Sequence, residues 1–292
     1  VKISPDVVGV EAPERKHRVH WRETTNFAAA VGDVNPRYLD DTVKGGLVAP
    51  PLFAVALTWP ILSGLSGLIP DALTPDIVAT MVHASEHLIF HEPIRPGDKL
   101  HISARIEGLI PTQAGAFLIV RAEARVPGRG PTFTEYGGVL FRGVEVDGDA
   151  CLASKIPEVP RPLGDVQPLW QAELPVERHL PFVYDGCTGI VFPIHTSVRA
   201  ARQAGLPDIA LQGTATLALA ARQVVNSECG GVPFALKEIA CRFTGLVIPG
   251  APVHFRLLGR DRLRERTGIF FDVLANRDNL ALSNGFASVE IQ

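Results

Sequence analysis

The stretch VFPIHTS, residues 191 to 197, places a single imidazole, His195, behind a Pro-Ile step and two residues ahead of Ser197. Imidazole changes protonation between about pH 5 and 8, so one such group in a pocket can serve as base and then as acid. Ser197 has the side chain of a helix N-cap and Gly205 that of a helix stop, which brackets VRAARQA as a short helix behind the histidine. A second polar cluster, AVGDVNP at residues 30 to 36, supplies Asp33 and Asn35, whose side chains readily bond turn backbone. Cys187 lies near His195 in sequence but is read as a structural thiol, the commoner fate of a lone cysteine. His83, His87 and His91 follow one another at intervals of four. On a strand that interval keeps one face, so a metal site from His83, Glu86 and His87 would depend on the sheet; no metal is expected. The chain contains no HExxH, GxSxG, phosphate-loop or dinucleotide fingerprint.

Something must hold these residues, and the totals say what kind of scaffold is available. The 292 residues are 46% apolar and 20% charged, the balance of a globular protein with a sizeable core. A formal net charge of -3 gives no basic surface for nucleic acid or acidic membrane, and neither partner is expected. No run of residues has the uncharged apolar length of a membrane span, and VKISPDVVGVEAPERKHRVHW has no secretory core, so a cytoplasmic location is expected. The 4 cysteines lack paired spacing and are expected to be reduced.

Six prolines between residues 154 and 181 forbid a long helix and disfavour a central strand, so this stretch reads as a linker between segments 1–153 and 182–292. The two segments share an order of features. FAAAVGDVNPRYLDD, GGLVAPPLFAVALTWPI and FHEPIRPGDKLHISARI are followed at a near-constant offset by YDGCTGIVFPIHTS, LPDIALQGTATLALAARQV and CRFTGLVIPGAPVHFRLLGR. Pro36 then matches Pro193, Pro51 falls opposite Gly213, and Gly97 opposite Gly250. Each segment has a helix of small and apolar residues, LFAVALTWPILSG or TATLALAARQVVNS, followed by alternating strand patterns. The fold class expected is α+β, one buried helix wrapped by a long antiparallel sheet, made twice.

These motifs resemble the MaoC-like hydratases and dehydratases, in the double hotdog form carried on a single chain. In that family the R-specific enoyl-CoA hydratases carry a motif G-D-x-N-P-x-H, whose Asp and His manage the water added to or lost from an acyl-thioester double bond. Neither half keeps it whole: GDVNP is followed by Tyr38 where the His belongs, and His195 is preceded by Ile190 and Phe192 where the Asp and Asn belong. By the resemblance, residues 182–292 form the active half, with His195 as acid/base, and residues 1–153 a degenerate half that supports the acyl chain. The backbone N-H groups of Gly213 and Thr214, opening the second long helix, would polarise the thioester. Tyr184 and Asp185 could supply a second polar group. Ile190 and Phe192 would line the acyl site and favour a bulky, apolar acyl group. Asp33 and Asn35 are counted among the substrate contacts, or else hold their own loop. The implied substrate is an acyl-CoA or acyl-carrier thioester, with no cofactor beyond it, and the expected assembly is a homodimer. Two alternatives stand: a degenerate hotdog that binds a thioester or hydrophobic ligand without chemistry, and a thioesterase, which the absence of an acid from residues 214 to 227 disfavours.

Overall fold

Alternating apolar and polar residues build strands where expected, and the small apolar runs build helices against them. A computed structural model describes residues 1–161, 167–263, 265–276 and 279–290; residues 162–166 of the expected linker lie outside the described set. In chain order the first half contains β1 (Lys2–Ile3), β2 (Glu11–Arg18), α1 (Trp21–Ala30), α2 (Pro36–Leu39), α3 (Phe53–Leu62), α4 (Leu65–Leu68), α5 (Pro75–Val78), β3 (Met81–Phe90), β4 (Lys99–Thr112), β5 (Gly115–Arg125), β6 (Pro131–Arg142), β7 (Glu145–Val146) and β8 (Cys151–Leu152). The second contains β9 (Trp170–Leu174), α6 (Leu180–Thr188), α7 (Pro193–Thr196), α8 (Val198–Gln203), α9 (Gly213–Glu228), β10 (Leu236–Phe243), β11 (Val253–Leu263), β12 (Arg266–Asn276) and β13 (Asn279–Glu290).

The large sheet runs β2-β4-β5-β6-β3-β10-β13-β12-β11-β9, with β8 added on β4. Its first five strands and last five are the same series laid in opposite directions. They meet at β3 and β10, which pair antiparallel with Glu86 opposite Cys241. The small β1–β7 ladder stands apart and is parallel. This is the α+β double hotdog.

The repeat is traceable bond by bond. Ala49 N-H donates to Ile94 O at 2.8 Å and Leu211 N-H to Val247 O at 2.8 Å; Val48 N-H donates to Arg37 O, and Ala210 N-H to Ile194 O. Two residues beyond Ala49 and Leu211 stand Pro51 and Gly213. One beyond Arg37 and Ile194 stand Tyr38 and His195. Gly97 and Gly250 both carry positive φ, 92° and 109°, in the turn ahead of a long strand, a conformation glycine adopts without steric cost.

The two central helices are unequal. α9 buries residues 214–221 together with Val224 and Val225, because its small and apolar residues cover nearly the whole circumference. Each fully buried Leu or Val contributes about 1.5–3 kcal/mol of transfer free energy. α3 contains Pro60, whose missing N-H and ring oppose continuation, and it ends at Leu62. The chain then folds Leu65, Leu73 and Ile77 over Ile106, Leu118 and Phe141 as a separate first-half core.

Two strands depart from the sequence reading. β9 lies inside the proline-rich stretch expected to be a linker, and β2 contains Pro13 among charged residues. Both are the last strands of the sheet path, where an unpaired side tolerates proline and charge. The histidine spacing on β3 is also broken, by a register shift between His83 and Ser85. The extra residue puts His83 beside Glu86, at 3.2 Å, while His87 pairs with Glu238 at 2.7 Å. Among the described residues no three His, Cys, Asp or Glu side chains are grouped to hold a metal, and no helix is long and apolar enough to cross a membrane.

Candidate active site

His195 is the third residue of α7, a single turn opened by Pro193; proline at a first helical position loses no hydrogen bond and fixes φ. Ser197 then caps α8, accepting from Ala200 N-H at 3.3 Å, and Gly205 follows at φ 80°. The turn is thus clamped from both sides. His195 Nδ1 lies 2.8 Å from the carbonyl of Ala210. A carbonyl only accepts, so Nδ1 carries the proton and, in the neutral ring, Nε2 keeps its lone pair. Burial lowers the His195 pKa below its ordinary 6.5, against the opposing influence of the Ala210 carbonyl and the Asp185 carboxylate. At neutral pH the ring is therefore a base with a defined tautomer.

The second component is the start of α9. Gln212 places no side-chain cap there, and its amide is turned away to Pro181 O at 3.1 Å. The first-turn N-H groups of Gly213 and Thr214 have no intrahelical acceptor, and they stand at the positive end of a sixteen-residue helix. Gly213 has no left-handed φ; space is what requires glycine. A Cβ there would stand 2.9 Å from the Phe243 ring.

His195, Gly213 and Thr214 line one cavity of about 200 Å³, together with Ile190 and Phe192. Its opposite wall comes from the first half: Trp59 of α3 and Met81, Val82 and His83 of β3. The site therefore lies where the halves join. The equivalent space in the first half is only about 40 Å³ and is lined by Pro50 and Pro51. Pro51, at the position of Gly213, has no N-H to offer, and Tyr38, at the position of His195, is fully buried. Among the described residues, the second-half cavity is the one of the two that joins a base to helix-start donors.

The expected residues divide into two groups. Ile190, Phe192, His195, Gly213 and Thr214 come together. Tyr184 does not reach the cavity: it is fully buried and donates to Thr214 Oγ1 at 3.2 Å, supporting the helix start from beneath. Asp185 acts on His195 only as a nearby charge, with its Oδ2 enclosed. Burial raises the Cys187 pKa, so this thiol stays protonated, as a structural cysteine should.

Asp33 and Asn35, counted among the substrate contacts or else as holding their own loop, lie outside the cavity of His195; Asp33 fastens the loop, and Asn35 also ties it to the second half. Asp33 accepts from Asn35 N-H at 3.1 Å, Asn35 Nδ2 donates to Gly231 O at 2.8 Å, and Arg222 of α9 reaches the carbonyls of Val31 and Gly32. Asn35→Ala is therefore expected to cost about 1–2 kcal/mol of stability in urea unfolding and to leave kcat unchanged. The contacts that sequence reasoning missed are Trp59, His83 and Phe243. They are brought in by the β3–β10 pairing, which no local pattern announces.

Two family models cover the chain in succession. The FAS1-like dehydratase domain region matches residues 6–130, and the MaoC like domain matches residues 165–269. Each half of the chain thus matches a dehydratase family model, and the fold is the double hotdog of the MaoC-like dehydratases. Among its relatives, a UPF0336 protein of Streptomyces coelicolor is 25% identical over 138 residues, 46% of this chain and 90% of that protein. The 3-hydroxyacyl-thioester dehydratase Y of Mycobacterium tuberculosis is 27% identical over 176 residues, 59% of each chain. In fold the chain resembles the crystal structure of a MaoC-like dehydratase from Phytophthora capsici, with a TM-score of 0.84 at 19% identity, over 98% of this chain and 97% of the other.

Proposed function

We propose that this protein is a hydro-lyase that adds water to a 2-enoyl thioester, or removes it from the 3-hydroxyacyl thioester, with His195 as the acid/base group. The observation that carries the reading is the convergence of His195 Nε2, freed by the Nδ1 bond to Ala210, with the open N-terminus of α9 in one cavity. In the dehydration direction Nε2 removes the proton at C2. The negative charge that develops on the thioester oxygen is met by the Gly213 and Thr214 N-H groups, already oriented and backed by the helix dipole. In the hydration direction the same ring, protonated, returns a proton to C2.

The substrate in this reading is an acyl-CoA or acyl-carrier thioester with an apolar acyl group. Trp59, Ile190, Phe192, Phe243 and Leu246 make the walls, and burying a hydrocarbon chain there gains transfer free energy that a charged group would forfeit. The relative named as a 3-hydroxyacyl-thioester dehydratase supports the same class of substrate. The test is to incubate the protein with short-, medium- and long-chain trans-2-enoyl-CoA thioesters and follow the conjugated absorbance. Loss of absorbance on at least one is expected; no turnover on any would overturn the proposal.

The pH dependence follows from the direction of the His195 shift. Because its pKa lies below 6.5, the ring remains a base just below that pH, and the acid limb of kcat for dehydration should be centred on the lowered value. An acid limb centred above 6.5 would assign that titration to another group.

A further inference from the structure

The wall facing His195 presents His83, with two buried carboxyl groups behind it, and the mechanism above uses none of the three. His83 lines the cavity with its side chain 28% exposed, its ring packed on Phe243 at 4.6 Å between centroids, and its Nε2 enclosed. Behind it Glu86 is buried, with Oε2 at 3.2 Å from that Nε2; neither atom has a hydrogen-bond partner in this geometry, so a small turn of the carboxyl would bring the two into line. Glu135 of β6 is buried beside them. On a regular strand residues three apart point to opposite faces. His83 meets Glu86 only because of the bulge before Ser85, and Gly138 on β6 makes room for it, since a Cβ there would meet Ser85 Oγ at 2.1 Å.

Among the described residues no Lys or Arg is paired with His83 or Glu86. The groups set against these two are Glu135 and Thr58 on one side, Cys241 of β10 and Tyr184 of α6 on the other. Burial raises the Glu86 pKa to about 8 and lowers that of His83 to about 4, against the opposing pull of Glu135 and the Ser85 backbone. At neutral pH the proton therefore resides on Glu86 and His83 is neutral. A buried acid held protonated beside a neutral imidazole at a cavity wall is a loaded proton donor, and bulges commonly re-aim side chains at functional sites.

We propose that the His83–Glu86 pair is the second proton-transferring group of this site, occupying the role left vacant where Ile190 replaces the motif carboxylate. The proposal rests on the hydro-lyase reading. In dehydration His195 Nε2 takes the C2 proton, and the C2–H electron pair becomes the C2=C3 double bond. The C3–O bond breaks with its pair on oxygen, and that oxygen takes a proton from His83 Nδ1 while Glu86 delivers its own to Nε2. Water leaves, the proton on His195 returns through solvent to His83 Nδ1, and Nε2 gives its proton back to the Glu86 carboxylate, which restores the starting state. Hydration runs the same steps in reverse.

The test uses the full chain and whichever enoyl-CoA the wild type hydrates. His83→Gln, which keeps a polar side chain of similar reach, is expected to lower kcat by about a hundredfold or more with KM changed only a few-fold. With the corresponding 3-hydroxyacyl-CoA, kcat for dehydration by the wild type is expected to fall as pH rises through the Glu86 pKa of about 8, and Glu86→Gln should abolish that alkaline limb. Thermal melting checks that each variant folds, and His83→Asn serves if the Gln variant does not. Wild-type kcat and pH profile in both folded variants, with His195→Ala inactive, would overturn the pair's role and leave the hydro-lyase reading intact. Absence of turnover by the wild type on every thioester would overturn both. A raised KM at unchanged kcat would reduce His83 to part of the cavity wall and also overturn the proposal.

Discussion

His195→Ala is expected to lower kcat for enoyl-thioester hydration by about a hundred- to ten-thousand-fold, the range for loss of a positioned acid/base group, while KM stays within a few-fold. The fold should survive. His195 is only part-buried and contributes one bond, to Ala210 O, worth about 1 kcal/mol net; Pro193 and the Ser197 cap hold the turn without it. Steady-state kinetics with a thermal melt on the same preparation check both halves of the expectation. His195→Gln sharpens it, because an amide donor can keep the Ala210 bond but cannot act as a base. If the Gln variant retained wild-type kcat, positioning rather than proton transfer would be the ring's contribution.

Gly213→Pro should be nearly as damaging, for a different reason. Proline suits the first position of a helix, and Gln212, at φ -56° and ψ 135°, already has the extended conformation that a residue before proline requires. The substitution therefore removes one N-H donor with the helix intact. Loss of an oxyanion donor costs about a hundred- to a thousandfold in kcat. Gly213→Ala is the necessary control. Its Cβ makes the same 2.9 Å approach to Phe243 but keeps the N-H, so the ratio of the two variants isolates the donor. Nature has made an equivalent change in the first half, where Pro51 holds this position in a cavity of about 40 Å³. Equal kcat for the Ala and Pro variants would remove the N-H from the mechanism.

The repeat was legible in the sequence because its markers are residues with backbone meaning. Pro36 and Pro193 open matching single turns, and Gly97 and Gly250 hold matching left-handed turns. The long strands and α9 were legible by period, which depends on burial of one face or of all faces. β2 and β9 were not, because the outermost strands of a sheet are free of the pattern that burial imposes. Within the site, His195, Gly213, Ile190 and Phe192 could be found because they lie close in sequence around one helix start. His83 could not be placed there: its face was set by a bulge and its neighbours by pairing with a strand about 150 residues away. Asp33 and Asn35 show the converse, a motif that kept its residues and now holds a joint.

The join of β3 to β10 also bears on the order in which the molecule is assembled. Trp59 and Met81 on one wall must wait for Leu246 and Leu282 on the other, so the cavity does not exist until β13 has been added beside β10. Contacts of such sequence separation are closed late and slowly, after the local hairpins of each half. During synthesis the first half can acquire its own core around Leu65 and Ile106 with β3 standing as an open edge, a strand still seeking its neighbour. The surface that later completes the site is thus, for a time, the one most exposed to mispairing with another chain.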